Sequence, residues 1–470
     1  MTRTLSAKER YVLGQERRKQ MPRVGHKIWK AKDRRLDPLK LLAASTRGRV
    51  PALVAMKNQL MAASPFGYFR GAVPVMAYDL SLGGNTGICS QLCGDAHVRN
   101  LGAFAGPDGR LVFDINDYDE TIVGPFEWDV KRMATSLVLA GRVGGTKDAR
   151  CREAAMLFLG RYRSTMAMFA RMPVLEVARY QVHRLRTVSP VAGILMAAQR
   201  ATPIHNLLAL TEAEGVEKKA AKGAKAAKSP KKKIEKGSAV EKAGRIFKTL
   251  PPTLKRVTGE LAEKVVASLV PYEASLLRER KHFLEQYRPV DVAFKVVGTG
   301  SVGLRDYCVY MEGNGRRDPL FLQIKEETAS GYAPYIERAI GHKLGRRTRQ
   351  HEGRRVVEGE RAMQVQSDPF LGWTTMDGRD YLVRQLNDHK ASVQLQDLKA
   401  AGLLEYALVC GEMLARGHAR SGDSSMVAGY LGSLTRLDDA VGAFAMAYAD
   451  QTEVDWKELV QSLKKTGKQG

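Results

Sequence analysis

A mixed α+β protein of two lobes, mostly helical with one antiparallel sheet lobe, is what the sequence predicts. Three features carry that expectation. Val130, Met133, Ala134, Leu137 and Val138 fall at i, i+3, i+4, i+7 and i+8, one face of a helix. Val292–Val297, Tyr307–Glu312 and Pro319–Lys325 are β-rich runs separated by glycine turns, the pattern of a meander. Helical spacing then returns in Leu403–Arg420 and Asp438–Gln451.

Taken in order, residues 1–50 form a basic N-terminal extension with Trp29 as its lone large aromatic residue. Residues 51–289 form a helical lobe. It opens with an amphipathic helix around Leu53–Met61 and the phrase Ser64-Pro65-Phe66-Gly67-Tyr68-Phe69-Arg70-Gly71. Two strand-like runs, Ile88–Leu92 and Arg110–Ile115, bracket the turn Gly94-Asp95. Helices follow over Glu127–Val143 and 151–210. Residues 212–242 are Lys, Ala, Gly and Ser with almost no large apolar side chain, so they are expected to be a disordered insert. Helical pattern resumes from Thr253 to about Arg288. Residues 290–395 are sheet-rich, with a helix near Arg354–Gln366 and a strand at Asp380–Leu386. Residues 396–455 complete the helical lobe, and 456–470 are a basic tail.

The formal net charge is +25, but it is unevenly placed. Residues 1–49 hold 15 Lys and Arg against 4 acids, and residues 215–237 hold 9 Lys against 2 Glu. These two segments supply most of the excess, so nucleic acid is an expected partner only through them. The 5 cysteines are scattered, which excludes a disulfide framework and a zinc ribbon. The start lacks an apolar signal core, and no run of eighteen apolar residues occurs, so a cytoplasmic protein without a membrane span is expected.

Two constellations point to phosphoryl chemistry. Cys93-Gly94-Asp95-Ala96-His97-Val98-Arg99-Asn100 is followed by Leu111-Val112-Phe113-Asp114-Ile115-Asn116-Asp117-Tyr118-Asp119-Glu120. One carboxylate in such a pair orients a nucleophilic hydroxyl. An Asn amide oxygen and a second carboxylate hold Mg²⁺, a hard ion completed by substrate phosphates. In Val297-Gly298-Thr299-Gly300-Ser301-Val302-Gly303, alternate glycines let backbone N–H groups approach phosphate, although any tight turn also favours glycine. Lys325 on an apolar strand, with Glu358 and Glu360 on a later helix, supplies a Lys–Glu grip for nucleotide phosphates. Arg70 is a further cation suited to stabilising phosphate charge near Asp95, or to pairing with an acid.

Gly94-Asp95-Ala96-His97-x-x-Asn100, then Asp117-Tyr118-Asp119 and Gly124-Pro125-x-x-x-Asp129, resembles the aminoglycoside phosphotransferases and choline kinases. Across residues 40–455, excluding the Lys-rich insert, the chain more closely resembles the bacterial domain-of-unknown-function 2252 (DUF2252) family. That likeness rests on Ser64–Gly71, Leu92–Asn100, Asn116–Arg132, Gly298–Gly303, Leu322–Glu326, Val356–Trp373 and His418–Asp423.

The phosphotransferase resemblance implies a protein kinase-like fold, ATP and Mg²⁺. It implies Asp95 as the catalytic aspartate; Arg70 and His97 are further catalytic candidates near it, read from their own chemistry and not from the resemblance. Asn100 and Asp117 would be metal ligands, with Asp114 as the second choice for the latter. Gly298, Gly300, Ser301 and Gly303 would cover the nucleotide, and Lys325, partnered by Glu358, would grip its phosphates. The sequence departs from the pattern twice. Cys93 stands where a His usually precedes Gly-Asp, and the glycine turn follows the catalytic loop instead of preceding it. The resemblance therefore implies a circularly permuted order, which neighbouring termini permit. A second Gly-Asp, Gly422-Asp423, keeps the usual order but has Ala428 where the metal Asn would stand; it reads as the end of a helix packed behind the loop.

The expected activity is phosphoryl transfer to a hydroxyl of a small molecule or protein. A nucleotide-binding regulator of pseudokinase type, a basic nucleic-acid-associated protein, and a metal hydrolase using Asp95, His97 and Asp117 are the alternatives.

Overall fold

The computed structural model describes residues 4–181, 188–214, 244–296, 298–340, 350–386 and 391–466. The insert expected to be disordered lies almost wholly outside them. The chain is mixed α and β, and the strand pairs in its sheets are antiparallel.

Four short strands frame the Gly-Asp turn: β1 Cys89–Leu92, β2 Leu101–Ala105, β3 Leu111–Ile115 and β4 Ile122–Pro125. β1 pairs with β4, and β2 with β3. β5 Thr211–Ala213 and β6 Arg245–Phe247 pair across the ends of the insert, where Glu214 N–H donates to the Gly244 carbonyl at 2.7 Å. The main sheet uses β7 Leu254–Val257, β8 Arg288–Lys295, β9 Asp306–Glu312, β10 Pro319–Glu327, β11 Gly372–Met376 and β12 Arg379–Gln385, in the order β11-β12-β10-β9-β8-β7. β13 Ala391–Ser392 extends β2.

The β-rich runs read from the sequence are β8 to β10. β10 is an interior strand whose nine residues are all buried, so Lys325 lies inside the sheet rather than on a solvated edge. Its neighbours there are Asp306 on β9 and Leu382 on β12. The stretch expected to be helical from Thr253 instead opens with β7 and becomes helical only at Glu260–Ala267, Leu269–Ser275 and Arg278–Leu284. One face of the sheet buries Val292, Val309, Leu322 and Val383 against Val265, Leu269 and Tyr272 of those helices.

The larger core belongs to the helices Glu127–Val143, Asp148–Phe169, Ala401–Ser421 and Arg436–Thr466. No helix among the described residues is long and apolar enough to cross a membrane.

Residues 4–50 pack on this helical body. Ser6 caps the helix Ala7–Gln20 by a reciprocal bond with Glu9. Arg18 and Arg23 donate to the carbonyls of Tyr430 and Leu431, at 2.9 and 2.7 Å. Arg34 is buried between Asp79 and Asp455, at 2.5 and 2.8 Å. Part of the basic charge near the N-terminus is therefore neutralised inside the fold.

Removing the Arg34 cation leaves two buried carboxylates facing each other, a loss of about 3–5 kcal/mol for a broken buried pair. Arg34→Met is expected to lower the urea midpoint accordingly, whereas Arg110→Met, at a side chain 88% exposed, leaves it in place; tryptophan fluorescence during unfolding measures both.

Candidate functional site

The Gly-Asp turn leaves β1 through a backbone that only glycine fits. Gly94 has φ +85°, and a Cβ there would lie 2.1 Å from the Glu120 carbonyl oxygen. Cys93 and Gly94 donate their N–H groups to the two oxygens of Asp129, at 2.8 and 3.1 Å. Asp129 sits in the first turn of the helix Glu127–Val143 but uses its carboxylate on the loop. His418 backs it, with Nε2 3.3 Å from Asp129 and Nδ1 2.8 Å from the Tyr162 hydroxyl.

Arg132, one helical turn past Asp129, directs Nε and Nη2 at Asp95 Oδ1, at 2.8 and 2.5 Å. It also donates to the Phe69 carbonyl at 3.0 Å. Burial alone would raise the Asp95 carboxyl. Arg132 and then His97 outweigh it and hold the group well below the usual carboxylate range. His97 Nε2 lies 3.5 Å from Asp95 Oδ2 and 3.2 Å from Arg70 Nε. Burial pushes the His97 imidazole down to about 4 against the pull of Asp95, so the ring is neutral at pH 7.

Arg70 reaches across to the glycine turn, donating to Thr299 Oγ1 at 3.3 Å. Ser301 of that turn donates to Asp119 Oδ2 at 3.0 Å, and Lys325 forms an ion pair with the same oxygen. Lys325 is held charged despite its burial, because Asp119, Asp117 and Glu327 surround it. Asp119 is driven below the usual carboxylate range: Lys325 overcomes the opposing effect of burial. Asp117 moves the other way, raised first by burial and then by Asp119, with Lys325 and Arg384 pulling against both.

A cavity of about 420 Å³ joins these groups. Asp95, His97, Arg70 and Asp117 line it from the helical side, and Gly298, Gly300 and Ser301 from the turn. The segments near residues 100 and 300 therefore meet. Gly303 does not line the cavity; with φ +95° it packs on Arg49, and its carbonyl accepts the Val50 N–H at 2.7 Å.

Three expected residues stand elsewhere. Glu358 does not pair with Lys325: it is exposed and bonds Arg354 at 2.7 Å, one turn away on the same helix. The helix Glu352–Met363 turns Arg355 inward instead, where it donates to the carbonyls of Thr121, Asp119 and Thr328 at 2.6, 2.9 and 2.9 Å. Val356, Gly359 and Met363 are buried at the spacing of that inward face, a signal present in the sequence that already placed Glu358 outside. Asp114 is 1% exposed and ion-paired with Arg416 in the core, with burial raising its carboxyl, so it is no candidate for the cavity. Asn100 lies just behind the turn and donates Nδ2 to the Asp95 carbonyl at 2.6 Å.

Asp119, Arg132 and Arg355 are the site residues that sequence reasoning misses. Asp119 was visible as the second acid of Asp117-Tyr118-Asp119; the two arginines carry no local signal.

Among the described residues, no three His, Cys, Asp or Glu side chains gather into a self-contained metal site. Asp95, Asp117, Asp119, Glu120 and Glu327 bring hard donors to the cavity, and Asp119 Oδ1 is buried with no hydrogen-bond partner. Any divalent ion here needs further oxygens from a ligand.

A family model described as "Uncharacterized protein conserved in bacteria (DUF2252)" matches residues 49–462, and the chain belongs to that family. No curated protein matches it, and no solved structure does.

The depressed His97 makes a pH signature. Between an unfolded value near 6.5 and the folded value of about 4, the unfolded chain binds a proton that the folded chain refuses. Stability from this group is complete above about pH 6.5 and is lost as pH falls toward 4, by about 3 kcal/mol. His97→Gln is expected to flatten that part of the curve, read by urea unfolding at half-unit pH steps.

Proposed function

We propose that this DUF2252 protein is a kinase-like phosphotransferase in circularly permuted order, using ATP and Mg²⁺ to phosphorylate a hydroxyl of a small molecule or protein. The observation that carries the reading is the shared cavity. A glycine turn and an acid pair meet there opposite a clamped aspartate, and an interior-strand lysine holds one of the two acids from behind.

In this reading Asp95 receives the acceptor hydroxyl. With Arg132 fixed on Oδ1, Oδ2 remains to accept its hydrogen bond. A carboxylate held this acidic orients the hydroxyl and takes its proton only as the oxygen bonds to phosphorus. Phosphoryl transfer tolerates that, because its transition state is loose. The bond from the terminal phosphorus to the bridging oxygen breaks, the bond to the acceptor oxygen forms, and ADP leaves. Lys325 grips the departing phosphates, exchanging part of its bond to Asp119 for them. Ser301 and the N–H groups of Gly298 and Gly300 cover them.

Asp117 and Asp119 would hold Mg²⁺, supported by the unpartnered Asp119 Oδ1, while Asn100, behind the turn, steadies the Asp95 backbone. When bound, the ion neutralises phosphate charge. Asp114 takes no part.

One observation favours a second reading, a nucleotide-binding regulator with little turnover. Arg132 and Lys325 already satisfy oxygens of Asp95 and Asp119. Both readings require nucleotide; only the first requires product.

Asp95→Asn is expected to lower phosphoryl transfer from labelled ATP by at least about a thousandfold, roughly 4 kcal/mol of transition-state stabilisation. Binding of a non-hydrolysable ATP analogue should change less than about threefold. Equal turnover in wild type and variant removes the assignment, and binding without turnover in the wild type selects the regulator.

A further inference from the structure

Arg47 aside, the same cavity holds three cations that the nucleotide reading leaves unassigned. Arg49, Lys57 and Arg70 all line it. Arg49 donates to the carbonyls of Gly300 and Val302, at 2.9 and 2.7 Å. Lys57, only 2% exposed, donates to those of Thr299 and Gly300, at 3.3 and 3.1 Å. Arg70 contacts Thr299 and His97. Among the described residues none of the three has a carboxylate within ion-pair distance.

Three of the nearby acids are already engaged, while Asp117, which also attracts Arg70, lines the cavity beside Asp119. Asp95 is held by Arg132, and Asp119 by Lys325. Glu120 accepts the Gly331 N–H at 2.6 Å, and burial raises its carboxyl toward the neutral form.

Carbonyl oxygens satisfy N–H donors but bring no net charge. Arg49, Lys57 and Arg70 crowd together with no ion-pair partner of their own; Asp95 and Glu120 attract them only from a distance, so they repel one another and have lost hydration, a cost that a bound anion would offset. Burial and the adjacent Arg49 push the Lys57 ammonium down to about 7, which expresses that imbalance. The cluster sits on the Asp95 side: Arg70 touches His97, which touches Asp95. Lys325 approaches Asp119 from the sheet.

We infer that Arg49, Lys57 and Arg70 form an anion-binding subsite for the acceptor, which is a hydroxyl compound carrying its own phosphate or carboxylate group. This rests on the phosphotransferase reading for the word acceptor, and on the unpaired cations for the word anion. The same cations would also suit the terminal phosphates of the nucleotide, so the test separates the two sources.

The probe is labelled inorganic phosphate, measured by equilibrium dialysis with the full chain, alone and with a saturating non-hydrolysable ATP analogue and Mg²⁺. Phosphate is expected to bind in both conditions. Lys57→Met and Arg70→Met should each weaken it by about tenfold or more. Lys57 has no ion-pair partner to leave stranded, so removing its charge relieves a desolvation cost, and Lys57→Met should keep or raise the melting temperature.

Absence of phosphate binding in the wild type overturns the inference. So does a lowered melting temperature in Lys57→Met with phosphate binding unchanged, which makes Lys57 a brace for the glycine turn. Competitive displacement of phosphate by the ATP analogue overturns it too, assigning the cations to the nucleotide and leaving the phosphotransferase reading intact. Phosphate binding by a chain that does not bind the analogue counts against the phosphotransferase reading and leaves the anion site standing.

Discussion

The buried ion pair between Lys325 and Asp119 ties the sheet to the helical body, and the rest of the site depends on it. Lys325 comes from an interior strand and Asp119 from the loop after β3, so each charge is desolvated by a different part of the fold. Neither is tolerable alone. A buried charge stripped of its partner costs about 3–5 kcal/mol, which makes this contact a condition for docking the two parts together. Ser301 adds a hydrogen bond to the same carboxylate and brings the glycine turn into the arrangement.

Around that pair, irregular backbone is held by side chains rather than by regular hydrogen bonding. Asp129 receives the N–H groups of the Gly-Asp turn, while Arg355 collects three carbonyls from two separate loops. Arg132 joins the carbonyl of Phe69 to the carboxylate of Asp95. Loops seldom stay fixed without such anchors, and buried polar backbone must find partners somewhere. The outcome is a set of acids whose proton affinities are driven apart, with Asp95 and Asp119 lowered and Asp117 and Glu120 raised.

Much of this was legible in the chain. The meander over β8 to β10 follows from β-rich runs separated by glycine turns, and the long helices follow from apolar spacing. β7 was not legible, because Leu254-Lys255-Arg256-Val257 is too short and too charged to show alternation. The acids and glycines of the cavity stood out as motifs, since their spacing is local. What escaped was pairing across distance. Glu358 looked like a lysine partner until the face of its helix was counted, and Asp114 looked equivalent to Asp117 until Arg416 claimed it. The cluster of Arg49, Lys57 and Arg70 had no signature at all, because three cations spread over twenty-two positions are unremarkable until folding gathers them at one cavity without ion-pair partners.

The short ladder of β5 and β6 has an evolutionary consequence. It sets Thr211 opposite Phe247 and brings the two sides of the Lys- and Ala-rich run together at its base. With both ends pinned, the entropy of closing the intervening chain grows only with the logarithm of its length; each doubling costs about 0.6 kcal/mol. This position can therefore gain or shed residues over generations with little strain on the sheet beside it, a natural port for new sequence in an otherwise crowded molecule.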